Sequence, residues 1–278
     1  MDSTLVLGGT GKTGRRVAER LDARRMPVRL GSRSGEPPFD WEKPETWAPA
    51  LQGVSSVYVS YYPDLAVPGA VDVVGGFANL AVEKGVPRLV LLAGRGEVEA
   101  ELAEQAVRDS GADLTIVRAT WFMQNFNEDY MVEHILAGAI ALPAGDTPEP
   151  FVDADDIADV AVAALTDDNH IGELYELTGP RLLTFADAAA EISSAIGRDI
   201  PYVPVSLEEH AAGAAEQGVP AEVIELLTYL FSEVLDGRNA HVTDGVQRAL
   251  GREPRDFRDF AREAAATGVW DKPEEGQR

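Results

Sequence analysis

The chain contains no cysteine. That excludes a disulfide framework, a thiol nucleophile and any cysteine-ligated metal or cluster. Basic residues are scarce as well: 24 Lys and Arg stand against 47 Asp and Glu, a formal net charge of −23 over 278 residues. Phosphate backbones are held by clustered Lys and Arg, so no nucleic-acid partner is expected. The same sign argues against docking on an anionic membrane surface. No apolar run reaches the roughly 18 residues that span a bilayer. Met1-Asp2-Ser3-Thr4 lacks the basic stretch and long apolar region of an export signal, so the cytoplasm is the expected location. There are only four histidines, and none has the spacing of HExxH or another metal-ligand pattern. No Gly-x-Ser-x-Gly elbow is present, so an esterase has no nucleophile.

What is there is an ordinary globular composition, 45% hydrophobic and 26% charged. Short apolar runs alternate with helical patterns through the first half, the signature of βαβ units and a parallel sheet. Strands are expected at Thr4–Leu7, Val28–Leu30, Val57–Val59, Leu89–Leu92 and Leu114–Val117. Helices are expected over Gly14–Arg25, Trp47–Leu51, Val71–Val82 and Glu97–Arg108, with Gly85 and Gly111 just past the last two. Asp153–Leu165 has a helical pattern and Leu174–Leu177 that of a strand. Thr184 and Asp187 form a variant capping box opening a helix. From Ser206 to Ala266 the chain is mostly helical, broken at Gly218-Val219-Pro220 and Asp236-Gly237.

The first strand runs into Gly8-Gly9-Thr10-Gly11-Lys12-Thr13-Gly14, which opens a helix. Glycines at 8, 11 and 14 give a sharp turn, close approach of backbone to a diphosphate, and tight packing of helix on strand. The helix N-terminus presents N–H groups and a positive dipole end. A Walker A loop would need glycine where Val6 stands. The turn therefore points to a dinucleotide. Acceptors of the ribose 2′-hydroxyl usually stand at the end of the second strand, but Leu30-Gly31-Ser32-Arg33-Ser34 has no acid. Arg33, with Lys12 as a second charge, suits a 2′-phosphate, so NADP(H) is the expected cofactor. The alternative is that Arg33 is a solvated loop residue.

The fold class expected is α/β. It comprises a Rossmann-type doubly wound parallel sheet over 1–150, to which 151–178 is able to return, a smaller and mostly helical C-terminal substrate lobe over 179–270, and a frayed polar tail at 271–278.

The glycine turn, Asp40-Trp41, Gln52-Gly53-Val54-Ser55-Ser56-Val57, Ser110–Arg118, Trp121–Phe126 and Phe151–Ala158 together resemble the NmrA-like group of atypical short-chain dehydrogenases along almost the whole chain. The resemblance implies that Asp40 contacts adenine. It also implies NADP(H) binding, with activities that include quinone reduction and, in some members, NADP sensing without turnover. This chain departs from short-chain dehydrogenases in its acid/base residues. None of the seven tyrosines has Lys four residues on. Ala100 occupies the best match to a lysine carried by some relatives, and Ala93-Gly94-Arg95-Gly96 stands where a serine or threonine is common.

Hydride transfer to a quinone-like acceptor needs little protein acid, so proximity and a dry pocket are the main requirements. Ser60, Tyr61 and Tyr62 follow the third strand, and either tyrosine is a candidate wall or hydrogen-bond donor beside the nicotinamide. Trp121, Gln124, Asn125 and His134 are further pocket candidates. Core packing accounts equally well for the aromatic residues, and an ordinary helix position for His134. Asp153, Asp155 and Asp156 fit a helix N-terminus better than a metal site. Two functions stand: a reductase passing hydride from NADPH to a small planar electrophile, and a non-catalytic NADP(H)-sensing regulator. The sequence leaves oligomeric state open.

Overall fold

The structure is a computed structural model that describes residues 3–272, so most of the tail expected at 271–278, residues 273–278, lies outside the described residues. In chain order it runs β1 (Ser3–Leu7), α1 (Lys12–Ala23), β2 (Val28–Gly31), α2 (Trp47–Leu51), β3 (Val54–Val59), α3 (Ala70–Glu83), β4 (Arg88–Gly94), α4 (Val98–Asp109) and β5 (Asp113–Ala119). There follow α5 (Met131–Ala137), β6 (Ile140–Leu142), α6 (Ala154–Thr166), β7 (Leu174–Leu177), α7 (Phe185–Ile196) and β8 (Tyr202–Pro204). The described chain closes with α8 (Leu207–Glu216), α9 (Ala221–Tyr229), α10 (Gly245–Leu250) and α11 (Phe257–Ala266).

Two compact units result. The first comprises the chain to Ala119, together with Ala154–Leu177 and Thr243–Glu253. Its parallel sheet has the order β2-β1-β3-β4-β5-β7. Sheet strands covered on both faces need uninterrupted apolar runs. Leu5, Val6 and Leu7 of β1 and Leu89, Val90 and Leu91 of β4 are accordingly all fully buried. Two polar contacts tie the sheet internally: Thr4 and Ser56 share a hydroxyl hydrogen bond of 2.9 Å across β1 and β3, and Thr115 donates to the His170 carbonyl at 2.7 Å. On α3, Val74, Phe77, Ala78 and Ala81 are buried, and Gly85 at φ +78° lets the chain leave that helix. The order reverses between β1 and β3, the place where doubly wound sheets bind ligands.

The second unit comprises Thr120–Asp153, Thr178–Val242 and the chain from Pro254 onward. Its core is aromatic: Phe151 meets Phe126, Phe185 and Phe257 with ring centroids 5.6, 5.1 and 5.6 Å apart. Trp270 donates its indole N–H to the Phe126 carbonyl at 2.8 Å. The Thr184–Asp187 capping box opens α7, and Ser206 with Glu209 makes another at α8. A two-stranded parallel sheet joins β6 to β8. Thus α6, β7 and α10 belong to the first unit, whereas residues 120–153 belong to the second. The pairing of β7 with β5 in register Ile116–Leu174 to Ala119–Leu177 ties the first of these segments back to the sheet.

Candidate functional site

The turn between β1 and α1 is tight. Gly8 lies at φ +64°, and the Gly11 N–H donates to the Gly8 carbonyl at 2.8 Å. A Cβ on Gly14 would overlap that same carbonyl, so glycine there lets α1 pack directly on the strand end. Thr10 and Gly11 are exposed, Lys12 is half-buried and Thr13 is buried. No side chain caps α1, and its first turn holds no acidic residue. A helix N-terminus of this kind, with a basic residue at its first position, offers a diphosphate N–H donors and a favourable dipole.

Beyond β2, Arg33 is exposed, and its charge reaches Asp40. The Asp40 carboxylate accepts the Glu42 N–H at 3.1 Å and lies 3.4 Å from the Lys43 ammonium. The Glu42 N–H first, then Lys43 and Arg33, hold it below the ordinary carboxylate range. The Asp40 backbone carbonyl accepts the Trp47 indole N–H at 2.9 Å. Trp41 stacks tilted on Tyr61 at 5.1 Å and donates to the Ser60 carbonyl at 3.3 Å. Ser60 in turn sits against Gly8: a Cβ on Gly8 would lie 3.3 Å from the Ser60 hydroxyl. The structure therefore brings Gly8, Asp40, Ser60 and Tyr61 into one neighbourhood through Trp41. Burial, then the charge of Glu42, raises the Tyr61 phenol above its ordinary value. Tyr62 stands apart, 77% exposed.

Two acids not singled out from the sequence lie at the C-terminal ends of neighbouring strands. Asp64 follows β3, and its Oδ1 accepts the Ala66 N–H at 2.8 Å. Glu97 follows β4 and is only 6% exposed. Its carboxyl occupies the space where a side chain on residue 94 would begin, so the strand end at Gly94 is open to it. The two carboxyls lie close enough for each to act on the ionisation of the other. Burial first, and the neighbouring acid second, raises Glu97 far above the ordinary carboxylate range. An apolar strand end followed by Gly-x-Gly-Glu was the only trace of this in the sequence.

In the second unit, Trp121 packs on Phe185 at 5.6 Å and Phe231 at 5.2 Å. Gln124, buried, donates to Asp153 Oδ1 at 2.9 Å, and the Asn125 N–H donates to the Phe122 carbonyl at 3.1 Å. His134 accepts the Ala141 N–H at Nδ1 at 3.4 Å, and burial lowers its pKa. The acids at the start of α6 are held by arginines of the first unit: Arg16 and Arg20 reach Asp155 at 3.3 and 2.5 Å, and Arg252 reaches Asp156 at 2.8 Å. Among the described residues no group of three or more His, Asp or Glu is placed to hold a metal ion. No helix among them is long and apolar enough to cross a membrane.

The model of the NmrA-like family matches residues 75–261. The chain belongs to the NmrA-like family. Within reach of this family member is an uncharacterized oxidoreductase, YesF, of Bacillus subtilis, 34% identical over 284 residues, covering 96% of this chain and 97% of the relative. An NAD(P)H azoreductase of Xenophilus azovorans is 32% identical over 283 residues, covering 94% and 98%. Among solved structures, the triphenylmethane reductase of Citrobacter sp. complexed with NADP(H) superposes with a TM-score of 0.75 at 21% identity, over 95% of this chain and 99% of the other. The NADPH-dependent quinone oxidoreductase QOR2 of Escherichia coli complexed with NADPH gives 0.74 at 19%, over 94% and 99%. The negative transcriptional regulator Nmra gives 0.69 at 17%, over 97% and 99%. At these identities the structural likenesses establish the α/β parallel-sheet fold. In this NmrA-like chain, Ala100 is fully buried within the core of the first unit.

Proposed function

We propose that the protein is an NADP(H)-dependent reductase that passes hydride to a small, planar, electrophilic acceptor of the quinone or azo type. The observation that carries this reading is the turn from Gly8 to Gly14, closed by the Gly11–Gly8 hydrogen bond of 2.8 Å at an uncapped helix start with no acid in its first turn. A diphosphate is the ligand such a turn is shaped for. Lys12, Thr10 and Thr13 flank it, and Arg33 supplies a guanidinium for a 2′-phosphate beyond β2. Asp40 and Trp41 bound the adenine side, and Ser60 with Tyr61 the continuation toward the nicotinamide. The relatives named for NAD(P)H-dependent reduction of azo compounds and quinones support the acceptor class.

When bound, a reduced nicotinamide supplies the hydride. The chain's own part is to fix that ring, exclude water and manage one proton. On the acceptor side, Trp121, Gln124, Asn125 and His134 remain the candidates of the second unit. NADPH oxidation followed by absorbance across a panel of quinones and azo dyes tests the reading. Acceptor-dependent loss of NADPH is expected, and tight binding without turnover would overturn it.

The second reading, an NADP(H)-sensing regulator, is favoured by the missing Tyr-x-x-x-Lys pair and by the buried Ala100. It predicts binding of both redox forms and no acceptor-dependent oxidation.

A further inference from the structure

We propose that Asp64 and Glu97 together hold one exchangeable proton at the C-terminal ends of β3 and β4, and that Glu97 gives this proton to the acceptor as it is reduced. The proposal rests on the reductase reading above and supplies the acid that the sequence lacks.

The two carboxyls are not equivalent. Asp64 accepts the Ala66 N–H at 2.8 Å and a further backbone N–H from Leu65, and both favour its ionised form. Glu97 is the N-cap residue of α4, yet its side chain makes no capping hydrogen bond. It is turned back over Gly94 instead, and its Oε2 is buried with no hydrogen-bond partner among the described residues. The charged groups acting on it are both acids: Asp64 from the segment after β3 and Glu99 from the first turn of α4. Arg95, two residues earlier in sequence, has its guanidinium ion-paired with Glu176 at 3.6 Å. An ionised carboxylate in that setting is costly, whereas a neutral one donates to Asp64. Burial raises Asp64 as well as Glu97, but only Asp64 has backbone N–H donors that favour its charge, so the shared proton is assigned to Glu97.

A buried acid pair of this kind does nothing for the fold that two apolar residues would not do better. It stands at the strand ends where doubly wound sheets bind their ligands, two positions beyond Arg95 and on the strand next to Ser60. In the step proposed, the acceptor gains two electrons with the hydride and is left with an anionic oxygen or nitrogen. The Glu97 O–H bond breaks as an O–H or N–H bond forms on the acceptor. The Glu97 carboxylate then regains a proton from water.

The test begins with the full-length protein without ligand. Infrared difference spectra and side-chain carbon NMR are recorded from about pH 3 to about pH 10, spanning both sides of the ordinary carboxylate range. The expected result is one carboxyl that stays protonated above neutrality, is absent from Glu97→Gln, and ionises at lower pH in Asp64→Asn. Two carboxylates already ionised at neutral pH would overturn the proposal. In turnover, Glu97→Gln should lose about 10²–10⁴-fold in kcat with an azo acceptor. It should lose much less with a quinone, whose reduced anion is stabilised by conjugation, while NADPH affinity stays unchanged. Equal kcat for wild type and Glu97→Gln on the azo acceptor would also overturn it. Should Glu97→Gln not fold, Asp64→Asn reports the same proton through its shifted titration and pH–rate profile. A retained carboxyl proton in a wild-type protein that oxidises no NADPH would end the reductase reading and the delivery step with it, leaving the spectra to show that the pair itself was correctly described.

Discussion

The α-carbon of Gly14 faces the carbonyl of Gly8 so closely that any side chain at residue 14 would overlap it. This one contact joins the glycine turn to the first helix, and the geometry the turn presents depends on it. Gly14→Ala forces α1 away from the strand end. It should cost about 1–3 kcal/mol of stability by overpacking and weaken NADPH binding together. Chemical denaturation and calorimetry read the two effects. An alanine variant with native stability and native affinity would show that the turn is more pliable than described.

Arg33 is exposed beyond β2, and its charge acts on Asp40. Arg33→Ala should remove a charge-assisted contact worth about 1.5–3 kcal/mol from NADPH binding and leave NADH nearly untouched. Calorimetric titration with both nucleotides measures the difference. Equal losses for the two would assign Arg33 no role at the 2′-phosphate.

Arg118 on β5 forks onto Glu104, donating from Nε at 2.9 Å and from the terminal nitrogen at 2.6 Å, and also donates to Glu176 at 2.9 Å. Glu104 is 3% exposed, so without Arg118 its carboxylate would be left buried and short of its main partner. Arg118→Met should destabilise by about 3–5 kcal/mol, the cost of stranding a buried carboxylate. The double variant Arg118→Met with Glu104→Met should recover most of the loss, as followed by urea unfolding. Additive losses in the double variant would mean that the ion pair is not the source.

The Asp64–Glu97 pair gives stability a direction in pH. Burial, then Asp64, raises the folded-state pKa of Glu97 above that of the unfolded chain. Its contribution is therefore fully present below the ordinary carboxylate value of about 4.3 and is lost as pH rises through the folded value. Thermal unfolding of the wild type should show stability falling from mildly acidic to alkaline pH, and Glu97→Gln should flatten that slope. Identical slopes would contradict a neutral Glu97.

Much of the fold was legible because parallel strands covered on both faces leave an unmistakable trace. The runs at Leu5–Leu7 and Leu89–Leu91 are apolar because both faces are buried, and Gly85 marks the end of α3 by the left-handed backbone it adopts. The pairing of β6 with β8 left no trace, since three residues at Ile140–Leu142 and three at Tyr202–Pro204 are too few for a period. The return of α10 to the first unit was equally hidden. It rests on close backbone approach, Gly245 lying against the Glu176 carbonyl, which no residue pattern encodes. At the candidate site, the glycine turn announced itself by spacing. Glu97 did not, because an acid before a helix ordinarily caps it, and only the turn back over Gly94 shows otherwise.

The central claim is that the first unit holds a nicotinamide dinucleotide phosphate on the Gly8–Gly14 turn. Isothermal titration calorimetry of the folded wild-type protein with NADPH, NADP⁺ and NADH tests it most directly. The account predicts saturable heat with the two phosphorylated nucleotides and weaker binding of NADH. Absence of heat with every nicotinamide nucleotide, from protein shown to be folded, would contradict it.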